Sequence, residues 1–347
     1  MNIKEYIIDP YMTILEAMQR LNQASARVLF ITEKGRLQAA ISDGDVRRWI
    51  INGGDIHKEV KCCANYEPKY LVNESEEYAL TFLKENFIEV VPIVDEDMHI
   101  QNIVRWNQNN ERAPKPQINL PVVMMAGGKG TRLYPYTKIL PKPLIPIGEI
   151  PISEHIINQF REYGCTDFYL VVNHKKNMIK AYFNEVSKNY NVFYVDEEVP
   201  LGTGGGLSLL KGKINSTFIL TNCDILVRED FSKIYEYHKK NRNIITMVCA
   251  LQNVQIPYGV VNISKGGQIE SMEEKPRLSF LTNTGCYIVE PEIVDEMKEN
   301  TVIDFPNVIE KCRKKGKNVG AFPIGENEWM DMGQMDGFEK MIKRLET

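Results

Sequence analysis

No run of apolar residues in this chain approaches the ~18 that a membrane-spanning helix needs. The opening MNIKEYIIDPYM has neither an apolar h-region nor a small-residue cleavage site. No signal peptide is expected, and a cytoplasmic location is. Positive charge is not in excess: 42 lysines and arginines against 46 aspartates and glutamates leave a net charge of −4. A chain without a basic field is not built to grip nucleic acid, so any anion must be held by local arrangement. Cysteine is unpatterned. The seven are scattered, apart from the neighbours Cys62 and Cys63, and no pair has C-x-x-C spacing. That argues against structural zinc and for reduced thiols.

What is present divides in two. At roughly 100–200 residues per domain, 347 residues suggest two domains. ERAPKPQINLP, from Glu111 to Pro121, carries three prolines among polar residues and reads as a linker. The expected boundaries are 1–112, a linker at 113–120, and 121–347.

The first part repeats itself. TILEAMQRLNQASARVLFITEKGRLQAAIS, from Thr13, gives an amphipathic helix, a buried strand, a turn and a second strand. SEEYALTFLKENFIEVVPIVDEDMHIQNIV, from Ser75, gives the same order. Ala17 matches Ala79, Leu21 matches Leu83 and Ile31 matches Ile93; one extra residue then sets Leu37 opposite Ile100. Apolar spacing of three and four in both helices predicts one buried face each. This part resembles a CBS-domain pair. In AAISDGDVRRW the resemblance implies an adenosine-nucleotide site at Ser42, Asp43 and Asp45, with an acid on the ribose hydroxyls. In the second copy those positions are Arg105 and Gln108, which departs from the pattern. The competing reading of Asp45 is a helix cap, and of the whole part a dimerising or purely structural role.

The second part opens on VVMMA, a short buried strand ended by Gly-Gly, followed by GGKGTRLYPYTKILPKPLIPI. Glycine after a strand lets backbone N–H groups point at an anion without Cβ interference. Arg132 adds a forked phosphate donor and Lys142 a point charge. The spacing is neither a P-loop nor G-x-G-x-x-G. The stretch resembles the signature of sugar-1-phosphate nucleotidyltransferases, carried by Ala126, Gly127, Gly128, Gly130, Thr131, Arg132, Leu133, Lys142, Pro143 and Pro146. The resemblance implies that the loop wraps a nucleoside triphosphate and that Lys142 lies near the phosphate being transferred. Apolar runs alternating with helical patterns predict an α/β fold with a mostly parallel sheet, and the resemblance implies that it is Rossmann-like, mixed and GT-A-like.

Asp224 ends the run STFILTNCD, where a carboxylate suits Mg²⁺; a turn aspartate is the plainer alternative. Trp329, Asp331 and Gly333 resemble the family's Trp-x-Asp-x-Gly segment, which implies a second Mg²⁺ ligand at Asp331; Asp336 reads as a helix cap. PLGTGGGL resembles the segment facing the nucleobase, with Gly202 and Thr203. No glutamine stands there to read a pyrimidine, and Glu197 or Glu198 can accept from guanine N1 and N2, which favours GTP. On the sugar-phosphate side the resemblance implies Tyr258, Gly259, Glu274, Lys275, Asn283, Thr284 and Gly285, with Lys275 neutralising the phosphate.

The implied reaction is nucleotidyl transfer to a hexose-1-phosphate, with Arg132, Lys142 and Lys275 catalytic and none of the five histidines required. A CBS pair joined to this transferase resembles the glucosamine-1-phosphate guanylyltransferases of bacterial legionaminic-acid synthesis, which serve flagellin or surface glycosylation. Mannose-1-phosphate and heptose-1-phosphate guanylyltransferases are alternatives, as is a non-catalytic nucleotide sensor on the same fold. A homo-oligomer is expected, and no fused hexapeptide-repeat domain, since none of those repeats is in the sequence.

Overall fold

The computed structural model describes residues 3–23, 28–86, 88–105, 115–186 and 188–345. Gln108 and positions 113 and 114 of the expected linker lie outside the described residues. The chain divides into two units, Met1–Ala113 and Pro114–Thr347.

In the first unit each repeat is a strand, a helix and a hairpin. The strands are β1 (Ile7–Ile8), β2 (Val28–Glu33), β3 (Arg36–Ser42), β4 (Leu71–Val72), β5 (Val90–Val94) and β6 (Ile100–Arg105). β1 runs parallel to β2 and β2 antiparallel to β3; β4, β5 and β6 repeat that order. Both hairpins shift register at the aligned position, between Ile31 and Thr32 and between Ile93 and Val94. The leading strands β1 and β4 are two residues long, too short for an alternating pattern to mark them. Ile14, Ala17 and Leu21 pack on Leu29, Ile31 and Ile41; Ala79 and Leu83 pack on Val91 and Val104. A third cluster, with Phe30, Leu37, Val90 and Ile103, draws on both repeats, so neither copy buries its apolar surface alone.

The second unit contains β7 (Val122–Met125), β8 (Pro146–Ile147), β9 (Ile150–Pro151), β10 (Asp167–Val172), β11 (Asn191–Asp196), β12 (Phe218–Asn222) and β13 (Ile225–Val227). β14 (Ile245–Gln255), β15 (Val260–Ile263), β16 (Ile269–Glu273), β17 (Arg277–Val289), β18 (Val319–Ile324) and β19 (Trp329–Asp331) follow. Its main sheet has the order β11-β10-β7-β12-β17-β14-β18. β17 alone is antiparallel to both neighbours, which makes the sheet mixed and mostly parallel. Strands buried on both faces read as continuous apolar runs. In β7, Val122 and Met124 join the core on one face and Val123 the core on the other. The helix Ile152–Arg161 seals the first face through Ile152, Ile156 and Phe160. The helix Phe305–Lys314 seals the second through Phe305, Val308 and Cys312.

Two expectations need correction. STFILTNCDIL is not one strand. β12 stops at Asn222, and β13 leaves the sheet to pair antiparallel with β19, Ile225 opposite Asp331. PLGTGGGL is not an open loop either. Gly202–Gly205 form a helical turn because the Gly204 and Gly205 N–H groups both donate to the Ile303 carbonyl, at 2.9 Å. Residues 115–120 belong to the second unit: Leu120 is buried in its core and the Ile118 N–H donates to the Tyr163 carbonyl at 2.9 Å.

Candidate active site

Strand order reverses at β7: β10 and β11 lie to one side of it, β12 to the other. In open α/β sheets that crevice, beyond the carboxyl ends of the strands, is where ligands lie. The Gly-rich loop leaves β7 here and Asp224 follows β12.

The loop is bent tightly against its surroundings. Gly130 has φ +65°, a left-handed conformation that favours glycine. A Cβ there would stand 2.9 Å from the Thr137 methyl and 3.2 Å from Lys142 Cβ. A Cβ on Gly127 would stand 2.6 Å from a Glu197 oxygen, whereas Gly128 faces open space. Ala126 is buried and donates its N–H to the Val171 carbonyl at 2.8 Å. Thr131 and Arg132 start a 3₁₀ turn and are exposed, with Arg132 on the cleft wall.

The β13–β19 ribbon explains how the two aspartates, more than a hundred positions apart, come together. It sets Asp331 opposite Ile225, and the Met332 N–H donates to the Asp224 carbonyl at 3.0 Å. A Cβ on Gly333 would stand 2.9 Å from Asp331 Oδ1 and 3.2 Å from Asp224 Oδ2, so both carboxylates flank one small space. Lys142 forms an ion pair with Asp224. Burial alone would lower the Lys142 pKa, but the Asp224 charge and hydrogen bond outweigh it and the net direction is up. Burial, then repulsion from Asp224, raises the Asp331 carboxyl; the Gly333 N–H at 2.6 Å, Lys142 and Arg132 oppose that rise.

Arg132, Asp224, Asp331 and Gly333 border a cavity of about 260 Å³, with Thr203, Asn283, Thr284 and Gly285 also on its wall. Residues 121–347 match the family model described as nucleotidyl transferase. The chain belongs to that family. A mannose-1-phosphate guanyltransferase of Saccharomyces cerevisiae is 32% identical over 229 residues, 62% of this chain and 62% of the relative. A mannose-1-phosphate guanylyltransferase of Mycobacterium tuberculosis is 28% identical over 229 residues, with the same two shares. The chain thus spans about 62% of the length of the curated relatives it matches. Among solved structures, HddC from Yersinia pseudotuberculosis is similar in fold, with a TM-score of 0.52 and 23% identity over 65% of this chain and 99% of that one.

Not every candidate of the nucleotidyl transferase unit meets in the cleft. Thr203 does, anchored by the Phe305 N–H, which donates to its hydroxyl at 3.0 Å; Gly202 precedes it with φ +78°. Asn283 donates to the Tyr287 hydroxyl at 2.7 Å. The Thr284 hydroxyl turns away, donating to the Val248 carbonyl at 2.8 Å. Gly285, at φ +85°, packs so closely that a Cβ would stand 2.4 Å from Asn222 Nδ2. Tyr258, Gly259, Glu274 and Lys275 gather with one another instead, on the exposed β15–β16 arm. A Gly259 Cβ would stand 2.9 Å from a Glu274 oxygen, and the Lys275 N–H donates to the Tyr258 carbonyl at 3.3 Å. None of the four is on the cavity wall.

The structure separates the two glutamates. Glu198 is exposed, whereas Glu197 is 5% exposed and burial raises its pKa. Its Oε1 and the indole N–H of Trp329 are the buried side-chain polar atoms without a partner among the described residues. Glu197 lies between two loops: a Cβ on Gly206 would stand 2.7 Å from Oε1. Burial, not sequence, singles out this residue. Sequence reasoning also missed Asn173, whose amide donates to the Glu197 carbonyl at 2.8 Å.

In the first unit Asp45 is engaged locally. It accepts from the Ser42 N–H at 2.8 Å and hydroxyl at 2.6 Å, pairs with Arg48, and closes a capping box on the helix Asp43–Ile51. Asp336 lies in the first turn of the helix Met335–Leu345. Among the described residues no three His, Cys, Asp or Glu side chains gather to hold an ion, and no helix is long and apolar enough to cross a membrane.

Proposed function

We propose that the protein is a sugar-1-phosphate guanylyltransferase that uses Mg²⁺. One observation carries this reading: Arg132, Asp224 and Asp331 line one crevice at the strand-order reversal, and Lys142, from the same stretch as Arg132, pairs with Asp224 there, so three separate segments meet. The loop amides of Gly127–Gly130 and the Arg132 guanidinium would hold the triphosphate. Two neighbouring carboxylates suit Mg²⁺, which takes one or two carboxylates and completes its shell with phosphate and water oxygens, and Lys142, paired with Asp224 here, would have to yield that oxygen to the ion. Asp224 and Asp331 would hold it, and it would neutralise phosphate charge. An oxygen of the sugar-1-phosphate bonds to the α-phosphorus, the bond to the β-phosphate oxygen breaks, and its electron pair leaves with pyrophosphate. The nucleophile is already anionic, so no base has to remove a proton. The obstacle is repulsion, about 4 kcal/mol for unit charges ~4 Å apart at an effective dielectric of 20. Arg132 and Lys142 offset it and align the approach, and Lys275 would add to them only if the arm brought it to the cleft.

Guanine is favoured because Glu197 presents a buried carboxylate oxygen without a partner, and guanine N1 and N2 are donors. Glucosamine-1-phosphate is favoured as acceptor because the duplicated β-α-β-β unit is read as a CBS pair, the partner of this transferase in legionaminic-acid synthesis. Mannose-1-phosphate is the second acceptor, on the strength of the yeast relative. Tyr258, Gly259 and Glu274 would reach the sugar from the arm. An adenosine nucleotide on the first unit would have to draw Asp45 away from Ser42 and Arg48. We place the protein in the cytoplasm, as a homo-oligomer.

Pyrophosphate release, measured for five nucleoside triphosphates against glucosamine-, mannose- and heptose-1-phosphate, tests the reading. Turnover is expected with GTP, and release with no pair at all would leave a nucleotide sensor as the better account. Deleting residues 1–115 tests the first unit: lost activity or an altered oligomer size assigns it to internal regulation or assembly.

A further inference from the structure

Two residues just after β10, His174 and Lys175, hold the phosphate loop at both ends. The His174 N–H donates to the Gly127 carbonyl at 3.3 Å, where the loop begins. The Lys175 ammonium donates to the carbonyls of Thr137, Lys138 and Ile139, at 2.9, 2.7 and 2.9 Å, where it ends. All three of its donors go to neutral oxygens. The Thr137 hydroxyl passes the restraint on, donating to the Gly130 carbonyl at 2.8 Å. Gly130 in turn packs between Thr137 and Lys142. Lys175 is thereby linked to the segment that carries both Arg132 and Lys142.

Its backbone is the second observation. Lys175 has φ +54° and ψ 30°, left-handed values that cost a residue with a Cβ and suit glycine or asparagine. A strained non-glycine residue persists where its surroundings over-determine it, and such residues cluster at functional sites.

We propose that Lys175 is a positioning residue: its ammonium fixes the Gly127–Ile139 loop in the shape that receives the triphosphate, while touching neither substrate. This rests on the nucleotidyl-transfer reading above, but strain and grip give it a signature of its own. Lys175→Gly relieves the backbone and removes the ammonium. A purely structural lysine would lower the melting temperature and leave kinetics alone.

The expected result for Lys175→Gly is an unchanged or higher melting temperature and a triphosphate KM raised about tenfold, equivalent to ~1.4 kcal/mol. KM for the sugar phosphate should stay within twofold. Lys175→Arg, which keeps the charge and N–H donors, should recover most of the loss. Thr137→Val, which cuts the next link, should act in the same direction as Lys175→Gly. Amide hydrogen exchange across residues 136–142 of the ligand-free Lys175→Met protein should quicken, whatever the substrates are. Unchanged triphosphate KM in both Lys175→Gly and Lys175→Met, or equal rises for both substrates in step with lost stability, overturns the proposal. An inactive wild type instead overturns the functional reading, and wild-type turnover with indifferent variants overturns this inference alone.

Discussion

The two units treat their polar side chains in opposite ways. In the first, Ser42, Asp45 and Arg48 satisfy one another in a capping box. In the second, Glu197 Oε1, closed in by Gly206, and the indole N–H of Trp329, a residue of the cleft wall, are buried with no partner among the described residues. An unpaired buried polar atom costs about 1–3 kcal/mol. A ligand that supplied the missing partners would offset that cost. The same unit can satisfy a buried polar group where nothing binds: His238 meets Thr246 at 2.8 Å and Glu290 at 2.9 Å.

The sharpest way to break this contrast is at the carboxylates. Asp224→Asn should lower kcat/KM for pyrophosphate release by about 10²–10³-fold, the scale of a lost electrostatic group, with Asp331→Asn close behind. Activity retained in both would end the two-carboxylate account.

Glu197→Gln should lower kcat/KM with GTP by about 10–100-fold, the worth of a hydrogen bond to a charged group, and shift preference towards UTP. It should also raise the melting temperature of the ligand-free protein. Burial raises the Glu197 pKa, so the folded state binds the proton more tightly than the unfolded chain. Its stabilising contribution is present below 4.5, the unfolded value, and is lost as pH rises through the folded one. Glutamine does not titrate, so the variant's stability curve should be flatter over that window.

A smaller effect is expected at His238. Burial lowers its pKa below 6.5, with Glu290 opposing. The unfolded chain therefore takes up the proton first, and stability falls as pH drops below 6.5 towards the folded value. Thermal melts from pH 7 to 5 should show a decline that His238→Gln reduces. Smallest is Asp45→Ala, which should cost the first unit about 1 kcal/mol of cap energy. Guanidinium melts should show that loss, and pyrophosphate release should be unchanged.

Much of the site was legible because its chemistry is written in short segments. Arg132, Lys142 and Asp224 are candidates on residue type and place in the chain, whereas the Gly127–Gly130 loop is specific, and Asp331 a candidate at all, only through the family segments they resemble. The repeat was legible through Ala17, Ala79 and their helical spacing, although β1 and β4 were too short to see. What sequence could not carry was anything decided by distant packing. The break of β12 at Asn222 depends on β19 offering β13 a partner. The choice of Glu197 over Glu198 depends on Gly127 and Gly206 closing around it. In HKKN nothing marks Lys175, since its left-handed backbone and its three carbonyl partners exist only in the fold.

The glycine walls of the cleft also set its prospects for redesign. Gly285 and Gly333 already lack side chains, so neither can be trimmed to admit a bulkier acceptor, and any addition at Gly333 would wedge the two aspartates apart. Room for a larger ligand has to be carved from side chains of the wall that still have atoms to give up, Asn283, Tyr287 and Trp329 among them.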